Sequence, residues 1–148
     1  MTDIYQKLAE DHRETSQMLA ELDSIAESDP ERRDDLFSKL KNELLVHARA
    51  EDATFYNALR QHTESKEDAR HAKHEHDEVE NMLRELSYLD RSTPEWASKL
   101  RELKQNVEAH VDEEENQIFP EAQAILDDQQ ANEIGQSFAQ EKAQRARH

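Results

Sequence analysis

The sequence predicts an all-α protein: an antiparallel up-down-up-down bundle of four helices with a short fifth helix at the C-terminus. Three observations point to that class. The chain of 148 residues holds one glycine and three prolines and is dense in Ala, Glu, Leu, Gln, Lys and Arg, a composition that favours long helices and short connections. Apolar residues recur at spacings of three and four through four separate stretches. Those stretches are joined by segments of a few residues, which forces consecutive helices to run in opposite directions. Charged residues make up 36 % and aromatic residues 5 %, a balance that disordered chains share, but disorder does not carry such periodicity. One domain over residues 1–148 is expected, with the bundle over about 3–126 and a C-terminal arm over about 128–145.

The first helix is expected from Asp3 to Ala26, on the seam Tyr5, Leu8, His12, Thr15, Leu19, Leu22 and Ala26. Asp29 followed by Pro30 reads as an N-cap and a first helical residue whose missing N–H is no loss. The second helix starts there and continues to about His62, with Leu36, Leu40, Leu44, His47, Glu51, Phe55 and Leu59 on its inner face. Ser65, with Asp68 three positions on, caps a third helix that starts near Lys66 and ends near Leu89, on the capping-box pattern. Its apolar residues Val79, Met82, Leu83 and Leu86, extrapolated backwards, turn Ala72, Glu75 and His76 inward and His74 outward, with His71 at the edge of the face. Thr93-Pro94 opens the fourth helix, whose inner face reads Leu100, Leu103, Val107, His110, Glu114 and Ile118. Pro120 is expected to kink or break it. Asp127-Asp128 can cap a last helix carrying Ile134 and Phe138, expected to pack across one end of the bundle, with Gly135 its least helical point and a frayed tail from Glu141.

The 35 acidic and 19 basic side chains give a formal net charge of −16, which repels a phosphate backbone and an anionic membrane surface alike. Nucleic acid and membrane are therefore not expected as partners. No apolar run approaches the ~20 residues of a bilayer span, and the first residues lack a basic and then apolar signal. A soluble cytoplasmic protein is expected. With no cysteine in the chain, a bound metal would have to be held by nitrogen and oxygen.

The informative feature is where the histidines fall. His12, His47, His76 and His110 occupy or adjoin inward positions, one on each helix of the bundle. In two helices an inward glutamate follows four residues later, His47 with Glu51 and His110 with Glu114, and residues so spaced stack on one helix face. A lone histidine on an apolar face is more often a hydrogen-bonded core residue than a ligand. Four histidines and two glutamates buried together need partners or a metal, since each unpaired ionised group costs several kcal/mol. Imidazole and carboxylate without sulfur suit iron or manganese, and also zinc, and two carboxylates that can each bridge suggest two ions. His62 at a helix end, outward His74 and terminal His148 are read as surface residues, and no catalytic acid or base stands out.

The segments Glu10-Asp11-His12, His47 to Tyr56, Glu75 to Val79 and His110 to Pro120 resemble the hemerythrin-like, HHE cation-binding family over roughly residues 4–126. The resemblance implies an oxo- or hydroxo-bridged pair of Fe ions, with His12 and His47 on one iron, His76 and His110 on the other, and Glu51 and Glu114 bridging. Oxygen-carrying members have a fifth histidine one turn before the position of His76, and here that position is Ala72. His71, Glu75 or a water could take its place, and Glu115 beside Glu114 leaves open which acid bridges, with the seam favouring Glu114. The implied ligands are O2, peroxide or nitric oxide, and the absent histidine favours oxygen, redox or iron handling over reversible carriage. Two other readings stand beside this one. One is an interaction or storage module with a structural metal, for which Trp96, Ile134 and Phe138 near the bundle ends are the apolar residues a partner could use; the other is a zinc-dependent hydrolase.

Overall fold

Both proline-led helix starts form as their side chains allow. The Asp29 carboxylate accepts the Arg32 N–H at 3.2 Å and the Thr93 hydroxyl accepts the Trp96 N–H at 3.3 Å, satisfying amides that a helix start leaves without partners. The computed structural model describes residues 2–25 and 28–146, and among them there is no strand. The elements are α1 (Ile4–Ile25), α2 (Pro30–Ala53), α3 (Phe55–Arg60), a 3-10 turn (Thr63–Ser65), α4 (Lys66–Tyr88), α5 (Pro94–Glu113), a π-helical turn (Glu114–Ile118), α6 (Phe119–Ile125) and α7 (Asp128–Ala146). The expected ends at Ala26 and the terminal His148 lie outside the described residues. No described helix is long and apolar enough to cross a membrane.

Contacts between neighbours pair the start of one helix with the end of the next. Asp11 meets His47 while Glu21 meets Arg32, and Glu75 meets His110 while the Leu86 carbonyl accepts the Trp96 indole N–H. The core is in two apolar clusters. One gathers Leu19, Leu22, Phe37, Leu40, Leu83, Leu86, Trp96 and Leu100; the other gathers Ile4, Leu8, Phe55, Tyr56, Ala72, Ile118, Phe119 and Phe138. The inward histidines and glutamates form a polar layer between them. Leu36 and Leu44, expected on the inner face, are only partly buried, whereas Phe37 and Arg33 of the same helix are buried.

Four expectations are corrected. The second helix is not continuous to His62: the Thr54 hydroxyl donates to the Ala50 carbonyl at 2.7 Å and its N–H reaches Glu51 at 3.3 Å. Such back-bonding competes with the helical ladder, and regular helix resumes as α3 at Phe55. Ser65 does not cap α4 with its side chain, because its hydroxyl donates to the Leu59 carbonyl at 2.6 Å. Pro120 does not break the helical run, which continues as α6 from Phe119 to Ile125. The turn before it widens to a π turn closed by the Phe119 N–H on the Glu114 carbonyl, which gives the proline ring room and removes the need for the amide it lacks.

The fourth correction concerns the C-terminal arm. It is not a short piece across one end: α7 runs to Ala146 without fraying at Glu141 and lies along α1 and α2. Gly135 is helical, and its place is explained by close approach. A Cβ there would stand 3.0 Å from backbone atoms of Asp3 and Ile4. Trp96 and Phe138 are fully buried and Ile134 packs on the core; Tyr88 is the exposed large apolar side chain among the described residues. The apolar residues suggested for a partner surface are therefore core residues.

Candidate metal centre

Each inward ligand-type residue comes from a different turn of the polar layer. His12 comes from α1, His47 and Glu51 from α2, His76 from α4, His110 from α5, and Glu114 from the first position of the π turn. Glu51 and Glu114 have no exposed surface. The Nε2 atoms point at the carboxylates: His12 lies 3.0 Å and His110 3.5 Å from the two oxygens of Glu114, while His76 lies 3.1 Å and His47 3.6 Å from Oε1 of Glu51. The histidines fall into two close pairs, His12 with His47 at a ring separation of 5.4 Å and His76 with His110 at 5.0 Å.

Every Nδ1 is held by a carboxylate from another helix. Asp11 of α1 holds His47 at 2.8 Å, Asp52 of α2 holds His76 at 3.0 Å, Glu75 of α4 holds His110 at 2.8 Å, and Glu115 of the π turn holds His12 at 2.6 Å. The four bonds form a closed ring around the bundle. Each orienting acid sits beside an inward residue in sequence: it precedes His12 and His76 on α1 and α4, and follows Glu51 and Glu114 on α2 and in the π turn. A neighbour in sequence is rotated by about 100° on the helix, so it faces the adjoining helix.

The donors fit cations. Among the described residues, the buried side-chain polar atoms without a hydrogen-bond partner are Tyr5 OH, the four Nε2 atoms, both oxygens of Glu51 and Oε1 of Glu114. Buried polar groups are nearly always paired, and seven of these eight atoms converge on one layer. His12, His47, Glu51 and Glu114 form one set whose donor atoms lie within 4.8 Å of one another, and Glu51, His76 and His110 form a second. Glu51 belongs to both. Fixing Nδ1–H on a carboxylate leaves Nε2 as the free lone pair, which is the tautomer a ligand needs.

The layer's electrostatics follow from the same contacts. Burial alone would lower the imidazole values, but the facing carboxylates push His47 up to about 10, His76 to about 9 and His110 to about 11, and His12 is also raised. Burial would raise Glu114, yet His110 and His12 hold it well below the usual carboxylate range. Burial would likewise raise Asp11, but His47 and Lys142 lower it. For metal-free protein the sign follows directly. Histidines raised above an unfolded value near 6.5 stabilise the fold below that pH, and the contribution is lost as pH rises through the folded values of about 9–11. The melting temperature of chelator-treated protein is thus expected to fall between pH 7 and 11, and added metal should flatten the curve over pH 7–9 by taking the protons' place. Parallel melting curves with and without metal would contradict this.

The structure does not bring His71, Glu75 or Glu115 into the inner set. Glu75 and Glu115 orient histidines, and Ala72 is wholly buried in the apolar cluster. His71 is more than half exposed, 3.3 Å from Glu113 and 3.6 Å from Glu75. His74 is exposed and paired with Glu78, and His62 lines an open groove with Asp68 and Glu121. Sequence reasoning passed over Asp11 and Asp52 as orienting acids, and over Tyr56, whose hydroxyl donates to Glu114 at 2.5 Å. The signal for the acids was their place beside inward residues. Beside the four histidines lies a cavity of about 40 Å³, lined by them and by Thr15, Leu44, Leu45, Val79, Val107 and Val111 among others.

The chain resembles known proteins over most of its length. It is 28 % identical to a hemerythrin HHE cation binding domain-containing protein from Mycobacterium kansasii, whose crystal structure matches 99 % of this chain and 88 % of that one with a TM-score of 0.86. It is 25 % identical over 133 residues to a DNA nickase of Nostoc sp., which is 90 % of this chain but 37 % of that relative's length. The family model for the hemerythrin HHE cation binding domain matches residues 3–122. That span contains every residue of the polar layer, and the chain belongs to the hemerythrin HHE cation-binding domain family.

Proposed function

We propose that His12, His47, Glu51, His76, His110 and Glu114 hold two iron ions, and that the protein binds or reacts with O2, peroxide or nitric oxide in oxygen, redox or iron handling. The observation that carries this reading is the convergence on one layer, beside a small apolar cavity, of seven buried donor atoms that have no hydrogen-bond partner. Bound iron would supply a redox couple and exchangeable coordination positions. The residues supply the rest. Glu51 and Glu114 each face histidines of both pairs, which supports bridging; Asp11, Asp52, Glu75 and Glu115 fix the imidazoles; Tyr56 steadies Glu114. The opposite-sense contacts and the alternating offsets around the ring support the up-down-up-down order.

The cavity's volume of about 40 Å³ exceeds the roughly 10–15 Å³ one water requires, so it suits a guest of a few atoms. That size, with every acid around the layer already engaged, disfavours a hydrolase acting on a larger substrate. Ala72 offers no donor, while Glu75 and His71 are held elsewhere, which supports a second exchangeable position and so reaction or sensing over carriage. Nicking of DNA, which the Nostoc relative's name describes, is disfavoured for this chain, because a net charge of −16 repels a phosphodiester backbone.

Elemental analysis of aerobically purified protein, with optical spectra before and after peroxide, tests this reading. About two irons per chain are expected, with a near-ultraviolet band that peroxide alters. His110→Ala should lose metal and His74→Ala should retain it. Zinc alone in the purified protein, or equal retention in both variants, would overturn the assignment.

A further inference from the structure

The ring is uniform in its hydrogen bonds and uneven in its charges. Among the described residues, Asp11 is the one orienting carboxylate that also faces an ammonium: Lys142 Nζ of α7 lies 2.8 Å from both its oxygens. Asp52 and Glu115 make no ion pair with a lysine or arginine there, and Glu75 faces only histidines. Asp11 is about nine-tenths buried and the Lys142 side chain about three-quarters, so this contact is shielded from solvent far better than an open surface pair. It is also built on two sides. Phe138, one turn earlier on α7, packs edge-on against His47 at 5.7 Å, and the Lys142 ammonium lies 5.7 Å from the Phe138 ring.

A carboxylate that accepts the Nδ1–H of an imidazole lends it negative charge and makes Nε2 a stronger donor. An ammonium on the same carboxylate takes part of that charge back. We propose that Lys142 is a positioning residue that makes the two halves of the centre unequal, weakening the charge Asp11 lends to His47 and so favouring the reduced ion in the His12–His47 half. This rests on the reading that each half holds an iron. The nearby positive charge acts in the same direction, because a ferrous ion carries less charge than a ferric one. In the His76–His110 half no lysine or arginine contacts an orienting carboxylate among the described residues: Arg60 bonds the Asp52 backbone carbonyl at 3.0 Å, and the Lys73 ammonium is held by Asp77 at 2.7 Å and acts on Asp52 only beyond ion-pair distance, so this is the half that is reduced second.

The test uses the full-length iron-loaded protein and its two one-electron couples, followed by spectroelectrochemical titration. Lys142→Met keeps the aliphatic stem beside Phe138 and removes the charge; Lys142→Arg keeps the charge. Lys142→Met is expected to lower the higher of the two potentials by about 59 mV, equal to a tenfold change in that iron's ferric-to-ferrous ratio, and to leave the lower potential nearly in place. Lys142→Arg should restore the wild-type separation. Unchanged potentials in Lys142→Met, an equal fall in both, or an arginine variant that behaves like the methionine variant would overturn the proposal. If the wild-type protein takes up no pair of irons, the underlying reading fails with it, and that is seen before a variant is made.

Discussion

Glu51→Ala is expected to strip the protein of both metal ions rather than one. Glu51 has no exposed surface, both its oxygens lack hydrogen-bond partners, and it is the residue common to the two donor sets. Its Oε1 faces His76 of one pair and His47 of the other. Removing an orienting partner of a ligand typically weakens a metal site about 10–100-fold, so removing a ligand shared by two positions should weaken it by more than ~100-fold. Elemental analysis of the purified variant, beside His74→Ala as the exposed control, measures this. Retention of one ion per chain would mean that the halves do not share Glu51. Circular dichroism separates site loss from unfolding, because the two apolar clusters flank the layer and do not contain Glu51.

Trp96→Ala is expected to do the converse, lowering stability by roughly 3–5 kcal/mol, the usual range for a fully buried tryptophan. Trp96 is wholly buried, donates its indole N–H to the Leu86 carbonyl at 3.0 Å and meets Phe37 edge-on at 5.6 Å. It stands in the apolar cluster built around Leu19, Leu22, Phe37 and Leu100, which contains none of the ligand-type residues. Denaturant titration should therefore show the loss of stability while the folded fraction keeps its wild-type metal content. A change below about 1 kcal/mol, or metal loss from protein that is still folded, would show that this cluster is not the independent support described above.

How much of this was legible in the chain depends on what each residue's signal reports. Asp29-Pro30 and Thr93-Pro94 were readable because cap and proline chemistry is local. His12, His47, Glu51, His76, His110 and Glu114 were readable because a spacing of three and four reports direction, and inward is the same for every helix of a bundle. Asp11, Asp52 and Glu115 carried no such signal. On a helical wheel they are flank residues, and whether a flank residue meets a histidine depends on which helix lies beside it and which way that helix runs. The break at Thr54 and the π turn before Pro120 were hidden for another reason. Each is a choice between hydrogen bonds, a hydroxyl against the ladder in one case and a widened turn against a kink in the other, and neighbouring packing decides it. The course of α7 along α1 and α2 was hidden because Gly135 reads only as a weak helix former until its close approach to Asp3 and Ile4 is seen.

The ring of four carboxylate-to-imidazole bonds has a further consequence, for the axial register of the helices. Leucine seams repeat every three or four residues, so two helices slid past one another by one turn, about 5.4 Å, would still bury apolar side chains. The same slide would carry Nδ1 far beyond reach of its acceptor. Because the ring closes on itself, a helix that slips alone breaks two bonds at once, one to each neighbour. The ring thus acts as a gauge of height within the bundle, separating the native alignment from slipped ones that the seams tolerate. It does so with the chain's own side chains, and so levels the donor atoms before a metal ion reaches them.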